Sequence, residues 1–440
     1  MSKLLESNNW AGVFFLPDQY NNRFGGRLSY TADHGVLLDY TIVGYDVPEE
    51  SSTLWGVLDN GHVCTLIGRY NLVHPGLDLH NGWVTRRGKA GFQFLLVGDF
   101  VSADKKYHKA TFTFTNLQEF FFHKGHKDFV KYTEVPMLSL KTAYGEIEIR
   151  NSASFGFASS DIGSHIYNQN KRALDELAKA FNNIQDKYPK DTFYIKKNIE
   201  YIVNINTTDG ATIQEIVEYV FQIAELLALL IYNPVYPERI DVITNDDQNH
   251  PHVIKVYPSL VLEQRTVKLA TEDKPHFQLP ITHRNIELHT ALAKWLQIYE
   301  DYSTITTGIQ HETRFRNIHT ALGEIALYAA MLESISNNRR SSKNKYEYAV
   351  DRYAGNRVKE GLVSIFSKTG IRSIGKNIST LRNEIVHIGK PRVIMPQLSL
   401  SDLVKIGQYM QLINIAYILE QIGISKEIIE NYQKTYSPPG

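Results

Sequence analysis

Short apolar runs separated by turn-forming residues fill the first 155 positions of the chain. The runs are rich in aromatic and β-branched side chains, as in Gly35-Val36-Leu37-Leu38-Asp39-Tyr40 and Phe92-Gln93-Phe94-Leu95-Leu96-Val97. Such runs between Gly, Asn and Asp breaks are typical of antiparallel strands. This part of the chain therefore predicts a β-rich domain, closed as a sandwich or a barrel.

The pattern becomes mixed between residue 156 and residue 275. Apolar positions at helical spacing predict helices over residues 164–188 and 212–232, and Asn233-Pro234 ends the second helix. Three further segments carry the runs typical of strands: residues 192–206 as a strand pair, 240–242 and 253–257. We therefore predict one β-rich N-terminal domain with embedded helices, residues 1–275.

From about residue 285 onward the pattern is helical throughout. Helices are predicted over Ile286–Tyr299, Phe315–Ser336, Tyr346–Phe366, Ile378–Ile388 and Leu400–Ile422. This predicts an all-α bundle over residues 285–432, followed by a flexible tail, residues 433–440. The fold class is thus an α+β multidomain protein.

Composition narrows the class of protein. The chain has 440 residues, 43% of them hydrophobic, and a net charge of zero, which is typical of a folded globular protein with more than one domain. Its single cysteine, Cys64, excludes an internal disulfide framework and suits a reducing compartment. The longest apolar run, around Ile223 to Tyr232, contains Glu225 and is about half a membrane span. We expect a soluble, cytoplasmic protein without a membrane partner.

Candidate chemistry comes from an Arg and a His five positions apart. The pattern occurs four times: Arg69 to His74, Arg284 to His289, Arg314 to His319, and Arg382 to His387. Spacing alone therefore decides nothing. The last pair is favoured because it lies in a short predicted helix bounded by Gly375 and Gly389.

Local charge also favours the last pair. Between Arg339 and Arg392 the chain has 13 Lys and Arg against 4 Asp and Glu, a local charge of +9. Such a cationic segment in a neutral chain is typical of a surface that binds nucleic acid. Arg372, Lys376 and Lys390 are the predicted RNA contacts.

The residue types of this pair suit phosphate chemistry. Arg holds a phosphate through a fixed fork of donors, and His transfers protons near neutral pH. Positions five apart on a helix are offset by about 140°, so Arg382 and His387 flank one face without touching. That geometry favours a site completed by a second chain. Glu333, an acid within an apolar stretch, is a candidate to orient Arg382 by a salt bridge. The alternative is that Glu333 is an ordinary, partly exposed Glu on a helix.

Residues 310–420 resemble a HEPN domain, a helical nuclease module whose signature is Arg, a polar residue and, a few residues later, His. Arg382-Asn383-Glu384-Ile385-Val386-His387 matches it, with Asn383 at the polar position. The N-terminal part resembles the β-rich domain that precedes HEPN in ApeA-type anti-phage proteins. The matching stretches are Trp10-Ala11-Gly12-Val13-Phe14-Phe15-Leu16-Pro17, Leu54-Trp55-Gly56-Val57-Leu58 and Phe92-Gln93-Phe94-Leu95-Leu96-Val97-Gly98.

The resemblance implies a metal-independent endoribonuclease that uses the 2′-OH of its RNA substrate as nucleophile. In that reading His387 is the general base or acid, Arg382 stabilises phosphate charge, Asn383 holds the site and Glu333 orients the Arg. It further implies a site at a homodimer interface. The same resemblance implies that the nuclease acts in abortive infection and that the N-terminal domain is a sensor or regulator of a phage-derived signal.

Two alternatives stay open. A zinc site is one, with His62, Cys64, His74, His80, His123 and His126 as the candidate ligands. Their spacing is irregular and the chain has no nucleotide-binding glycine motif, so we predict neither metal nor cofactor. The other is a non-catalytic HEPN dimerisation protein whose basic surface binds nucleic acid or a nucleotide.

Overall fold

The computed structural model of the protein describes residues 3–44, 50–71, 76–80, 83–121, 135–157, 169–189, 194–244, 252–306, 309, 318–338, 345–387 and 391–438. Within these ranges the N-terminal part is a sheet with a few helices and the C-terminal part is helical. The predicted α+β fold class is therefore confirmed.

Fourteen strands occur in the described part of the chain, and all belong to one sheet. They are β1 (Asn8–Phe15), β2 (Phe24–Thr31), β3 (Gly35–Val43), β4 (Glu50–Leu58), β5 (Val63–Asn71), β6 (Gly76–His80), β7 (Trp83–Phe92), β8 (Phe94–Val97), β9 (Tyr107–Phe114), β10 (Leu138–Thr142), β11 (Gly145–Phe157), β12 (Tyr194–Ala211), β13 (Pro237–Ile243) and β14 (Val253–Pro258).

The order across the sheet is β10-β11-β12-β9-β13-β14-β8-β5-β4-β1-β2-β3-β7-β6, and the neighbouring strands pair antiparallel. β10 and β6 end this order. β8 follows β7 after a single residue, Gln93, although five strands separate the two in the order, and β7 also contacts β5. This part of the sheet therefore curves back on itself, as the predicted closure requires.

The described residues form eleven α-helices. They are α1 (Leu117–Phe121), α2 (Lys171–Lys187), α3 (Ile213–Ile231), α4 (Gln264–Thr271), α5 (Leu288–Thr306), α6 (Ile318–Asn338), α7 (Lys345–Tyr353), α8 (Asn356–Phe366), α9 (Ile374–Val386), α10 (Leu400–Gln421) and α11 (Lys426–Tyr436). None of them is long and apolar enough to cross a lipid bilayer.

Helix α3 shows how sequence and packing agree. Thr212 caps its first turn together with Glu215, each side chain accepting a hydrogen bond from the other residue's backbone N–H. Twelve of its residues are buried, and it packs against β9, β12 and β13. Tyr232 ends the helix in the left-handed conformation, one residue before the predicted Asn233-Pro234 stop.

Two predictions are wrong in the number of elements. The strand pair expected over residues 192–206 is one strand, β12, which pairs with β11 on one side and β9 on the other. The helix expected over 346–366 is two, α7 and α8, because the backbone N–H of Gly355 donates to Gln433 Oε1 at 2.6 Å. A Cβ at residue 355 would lie 2.8 Å from that oxygen, so glycine allows this close contact.

The C-terminal segment packs against the bundle instead of fraying. Helix α11 continues to Tyr436, and the side chains of Gln433 and Ser437 are buried. The hydroxyl of Tyr409 on α10 donates to the carbonyl of Pro438. The tail predicted over residues 433–440 is therefore ordered through residue 438, and residues 439 and 440 lie outside the described part.

Helix α5 joins the two parts of the molecule. Trp295, fully buried, donates its indole N–H to the carbonyl of Gln222 on α3 at 2.7 Å. Two turns later, the hydroxyl of Tyr302 lies 2.9 Å from the hydroxyl of Tyr417 on α10. One helix thus contacts both the helix that covers the sheet and the central helix of the bundle.

Candidate active site

The motif helix α9 is fixed at its first turn by an acid from α7. Ser373 caps the helix by accepting from the N–H of Lys376, and its own hydroxyl donates to Glu347 Oε2. The same oxygen accepts from the N–H of Gly375 at 2.7 Å. A Cβ at residue 375 would lie 2.5 Å from the backbone nitrogen of Glu347. Glycine therefore lets α9 approach the first turn of α7.

The register of α9 separates a buried face from a solvent face. Ile378, Leu381 and Glu384 are buried, at the three-residue spacing of one helical stripe. Arg382 and Asn383 are half-buried beside that stripe, and His387 is exposed. The burial of every third residue thus turns the motif side chains toward the surface.

His387 ends the helix and does not lie inside it, contrary to the predicted Ile378–Ile388 helix. Its backbone is extended (φ −100°, ψ 106°), while its N–H still donates to the carbonyl of Asn383 at 3.1 Å. This last bond keeps His387 one turn after Asn383, so the two residues share a side of the helix axis. The chain then leaves the helix, which opens the imidazole to solvent.

Arg382 is held by its neighbour in sequence. Its Nη1 donates to Asn383 Oδ1 at 3.2 Å. The guanidinium also acts electrostatically on α6 and α7. Its charge is a minor cause of the lowered pKa of Glu333, and it opposes the rise that burial causes in the pKa of Tyr346. Arg382 therefore lies near both of these residues.

Glu333 forms its ion pair with another residue than predicted. Its Oε1 accepts from Lys345 Nζ at 2.6 Å and its Oε2 accepts from the hydroxyl of Tyr346 at 3.3 Å. The bond from Lys345 is the main cause of a lowered pKa of Glu333, and the charge of Arg382 is a smaller one. Glu333 thus lies near Arg382 as a neighbouring charge, while the described salt bridge joins it to Lys345.

Sequence reasoning missed the role of Glu384 inside the motif. The side chain is buried and accepts three backbone hydrogen bonds, from Val393 at 2.8 Å and from Ile394 and Met395 at 2.9 Å each. It thereby ties the segment that follows His387 back to the helix. The sequence signal was an acid on the apolar stripe, three residues after Leu381, because a buried carboxylate requires several donors.

The basic segment is partly neutralised in the fold. Among its described cations, Lys345 pairs with Glu333, Arg352 with Glu420, and Lys368 with Asp402. Of the predicted RNA contacts, Arg372 and Lys376 are exposed at the start of α9, whereas Lys390 lies outside the described residues. The cationic surface beside α9 is therefore smaller than the sequence count implies.

The other Arg and His pairs are placed differently. Arg284 is exposed just before α5, and His289 is exposed in its first turn. The side chains of the remaining two pairs lie outside the described residues. So do those of His74, His80, His123 and His126, whereas Cys64 is buried, which raises the pKa of its thiol. Among the described side chains, no group of three or more His, Cys, Asp or Glu is arranged to hold a metal ion.

Comparison with known protein families finds a match for both parts of the chain. Residues 9–295 match the family described as ApeA N-terminal domain 1, and residues 296–428 match the family described as Apea-like HEPN. No curated protein and no solved structure matches the chain. Because the first match alone covers more than half of the sequence and the second follows it directly, the chain belongs to the ApeA family of proteins with a C-terminal HEPN domain.

Proposed function

We propose that this protein is an anti-phage endoribonuclease that cleaves cellular RNA at the C-terminal end of α9 without a metal ion. One observation carries the proposal: Leu381 and Glu384 bury one face of α9, and Arg382, Asn383 and His387 are left at its surface. A guanidinium can hold a phosphate and an imidazole can transfer a proton, and metal-free RNA cleavage uses both tasks.

The proposed reaction is an attack by the ribose 2′-oxygen on the adjacent phosphorus. The bond from phosphorus to the 5′-oxygen breaks, which leaves a 2′,3′-cyclic phosphate and a 5′-hydroxyl. His387 takes the proton from the 2′-hydroxyl, and Arg382 neutralises the charge that develops on the phosphate oxygens. Asn383 holds the guanidinium through the 3.2 Å hydrogen bond. Glu333 contributes a nearby negative charge that favours the orientation of Arg382.

The same reaction supports a homodimer. Each cleavage needs one proton removed from the 2′-hydroxyl and one delivered to the departing 5′-oxygen. Each chain has one imidazole at the end of α9, and it is exposed. A second copy that faces the first would supply the second imidazole. Arg372, just before α9, and Lys376, in its first turn, would then contact other phosphates of the RNA.

The test uses the purified full-length protein with cellular RNA in excess chelator. Wild type, Arg382→Ala and His387→Ala are compared by mapping the ends of the RNA fragments and their cyclic phosphates. Each substitution should lower the cleavage rate by about 100-fold or more. His62→Ala changes an exposed histidine far along the chain from α9, so it is the matched control and should retain the wild-type rate.

Three results would count against the proposal. Cleavage that requires an added divalent ion would contradict the metal-independent mechanism. RNA that stays intact with all variants, both purified and in phage-infected cells, would contradict catalysis. If Arg382→Ala weakens RNA binding while His387→Ala leaves it unchanged and no RNA is cut, the protein is the non-catalytic binding protein.

A further inference from the structure

A cavity of about 390 Å³ lies far along the chain from α9, between α3, the segment after β14 and the end of α5. Its volume is within the range of roughly 300–1,000 Å³ that is usual for small-molecule sites. The residues that matter for its chemistry are Phe221, Glu225, Tyr236, Val261, Arg265 and Thr306. They come from both matched regions of the chain.

The polar group in this cavity is the carboxylate of Glu225 on α3. Its Oε1 accepts from the hydroxyl of Tyr299 at 3.1 Å, and its Oε2 accepts from the hydroxyl of Thr306. Both donors are neutral, and a carboxylate accepts about four hydrogen bonds. Glu225 therefore has capacity to accept further donors from a molecule in the cavity.

Burial makes a positively charged donor the favourable one. Loss of water around Glu225 raises the pKa of its carboxyl, and the two hydroxyl bonds offset this only in part. A bound cation would restore the stabilisation that water supplies to an exposed carboxylate. The nearby guanidinium of Arg265 is already paired with Glu263 at 2.5 Å.

The walls and the rim of the cavity suit an organic molecule. The rings of Phe221 and Tyr236 line it, with their centroids 6.5 Å apart in an edge-to-face contact. At the rim, Val261 is 66% exposed and has φ +50°, a left-handed conformation that β-branched residues rarely adopt. Backbone strain of this kind concentrates at ligand and switch sites.

We propose that this cavity binds a small organic cation, with an ammonium, amidinium or guanidinium group on Glu225 and an apolar body against Phe221 and Tyr236. The proposal concerns binding and is independent of RNA cleavage. Its experiment therefore succeeds or fails separately from the proposed ribonuclease.

The test titrates the full-length protein with benzamidine and with benzamide by calorimetry at neutral pH. The two probes have nearly the same shape, and benzamidine alone is charged. Wild type should bind benzamidine about tenfold more tightly than benzamide or better, because hydrogen bonds between charged groups are the strong ones. Glu225→Gln should abolish this preference. Glu218→Gln, an exposed position on the same helix, should keep it.

A second variant covers the case in which Glu225→Gln does not fold. Ala228 also lines the cavity, and Ala228→Leu fills space there without changing the carboxylate. It should block benzamidine. Equal binding of the two probes by wild type would overturn the proposal, and so would a benzamidine preference that persists in either folded cavity variant.

Discussion

The sheet region and the helical region satisfy their buried polar groups in different ways. In the sheet, the ladders pair the backbone, and buried side chains such as Thr65 complete short loops next to the strands. In the helical region, single buried side chains reach the backbone of distant segments. Glu384 accepts three N–H groups, and Gln433 bonds to the backbone of Tyr353, Leu412 and Gly355.

The difference bears on how the candidate site is held. A sheet distributes its hydrogen bonds over many equivalent pairs, so one side chain contributes little to its geometry. Helix ends and loops have no ladder, and their free backbone groups need a partner. Around α9, Glu347, Asn377 and Glu384 provide those partners. The local geometry of the site therefore depends on a few side chains.

The largest effect is expected for Glu384→Ala. It would leave three N–H groups without their acceptor and should lower the free energy of unfolding by roughly 3 kcal/mol or more. Chemical denaturation measures this loss. Glu360→Ala, on the exposed face of α8, is the control and should stay within about 0.5 kcal/mol. If the two variants are equally stable, the three hydrogen bonds that Glu384 accepts contribute nothing to stability.

The second effect tests the close approach of α9 to α7. Gly375→Ala would place a Cβ 2.5 Å from the backbone of Glu347 and should destabilise the protein by about 1–3 kcal/mol. Gly323→Ala is the matched control, because Gly323 lies within α6 with open space around its Cβ position. It should instead stabilise by up to about 1 kcal/mol. The unfolding temperatures of both variants separate the effect of the close contact from that of helix propensity. If both temperatures change in the same direction, the close packing of α9 on α7 is contradicted.

The third prediction concerns a buried side chain in the sheet region, for comparison with Glu384 in the helical region. Thr65 is fully buried, and its hydroxyl donates to the carbonyl of Asp99 at 2.9 Å and accepts from the N–H of Val101 at 3.1 Å. Thr65→Val should cost about 1–2 kcal/mol by denaturation, less than Glu384→Ala. Thr65→Ser keeps the hydroxyl and should recover part of that loss. A larger loss for Thr65→Val than for Glu384→Ala would reverse the comparison.

The smallest effect is a difference in pH dependence. Ion pairing with Lys345 lowers the pKa of Glu333, and bonds from Lys368 and Ser399 outweigh burial at Asp402, whose pKa is also lowered. In the sheet, burial raises the pKa values of Glu238 and Asp241. An acid with a lowered pKa binds fewer protons when folded, so its stabilisation is lost as the pH falls. An acid with a raised pKa has the opposite sign.

Hydrogen exchange measured at several pH values tests this difference. As the pH falls through about 4, protection in α6 and α10 should decrease relative to protection in β13. Glu333→Gln and Asp402→Asn should reduce the difference. Parallel loss of protection in both regions would contradict the opposite signs.

The periodicity of apolar residues predicted those elements whose ends are fixed by their own sequence. It failed where a contact with a distant part of the chain fixes the end of an element. Helix α3 has its capping box and apolar face in one continuous segment, so its bounds were predicted within a residue or two. The break between α7 and α8 depends on Gln433, about 80 positions later, and no local pattern encodes it. Likewise, the strand pair predicted over residues 192–206 is the single strand β12, which is held by pairing with β11 on one side and β9 on the other.

The same distinction applies to the candidate site. Arg382, Asn383 and His387 were found from their spacing, and the register of α9 leaves them at the surface. The partner of Glu333 was not predictable, because Lys345 belongs to another helix, α7, and its position relative to α6 depends on packing. Glu384 was overlooked since its partners lie after the helix, in a segment without a regular pattern.

Helix α5 has a consequence for how such proteins diversify. The boundary between the two matched regions falls between residues 295 and 296, in the middle of Leu288–Thr306. Trp295 anchors its first half to α3, and Tyr302 anchors its second half to α10. Recombination at that boundary would splice two unrelated half-helices. Lineages that exchange their N-terminal regions should therefore carry their crossovers outside α5 and inherit this helix whole.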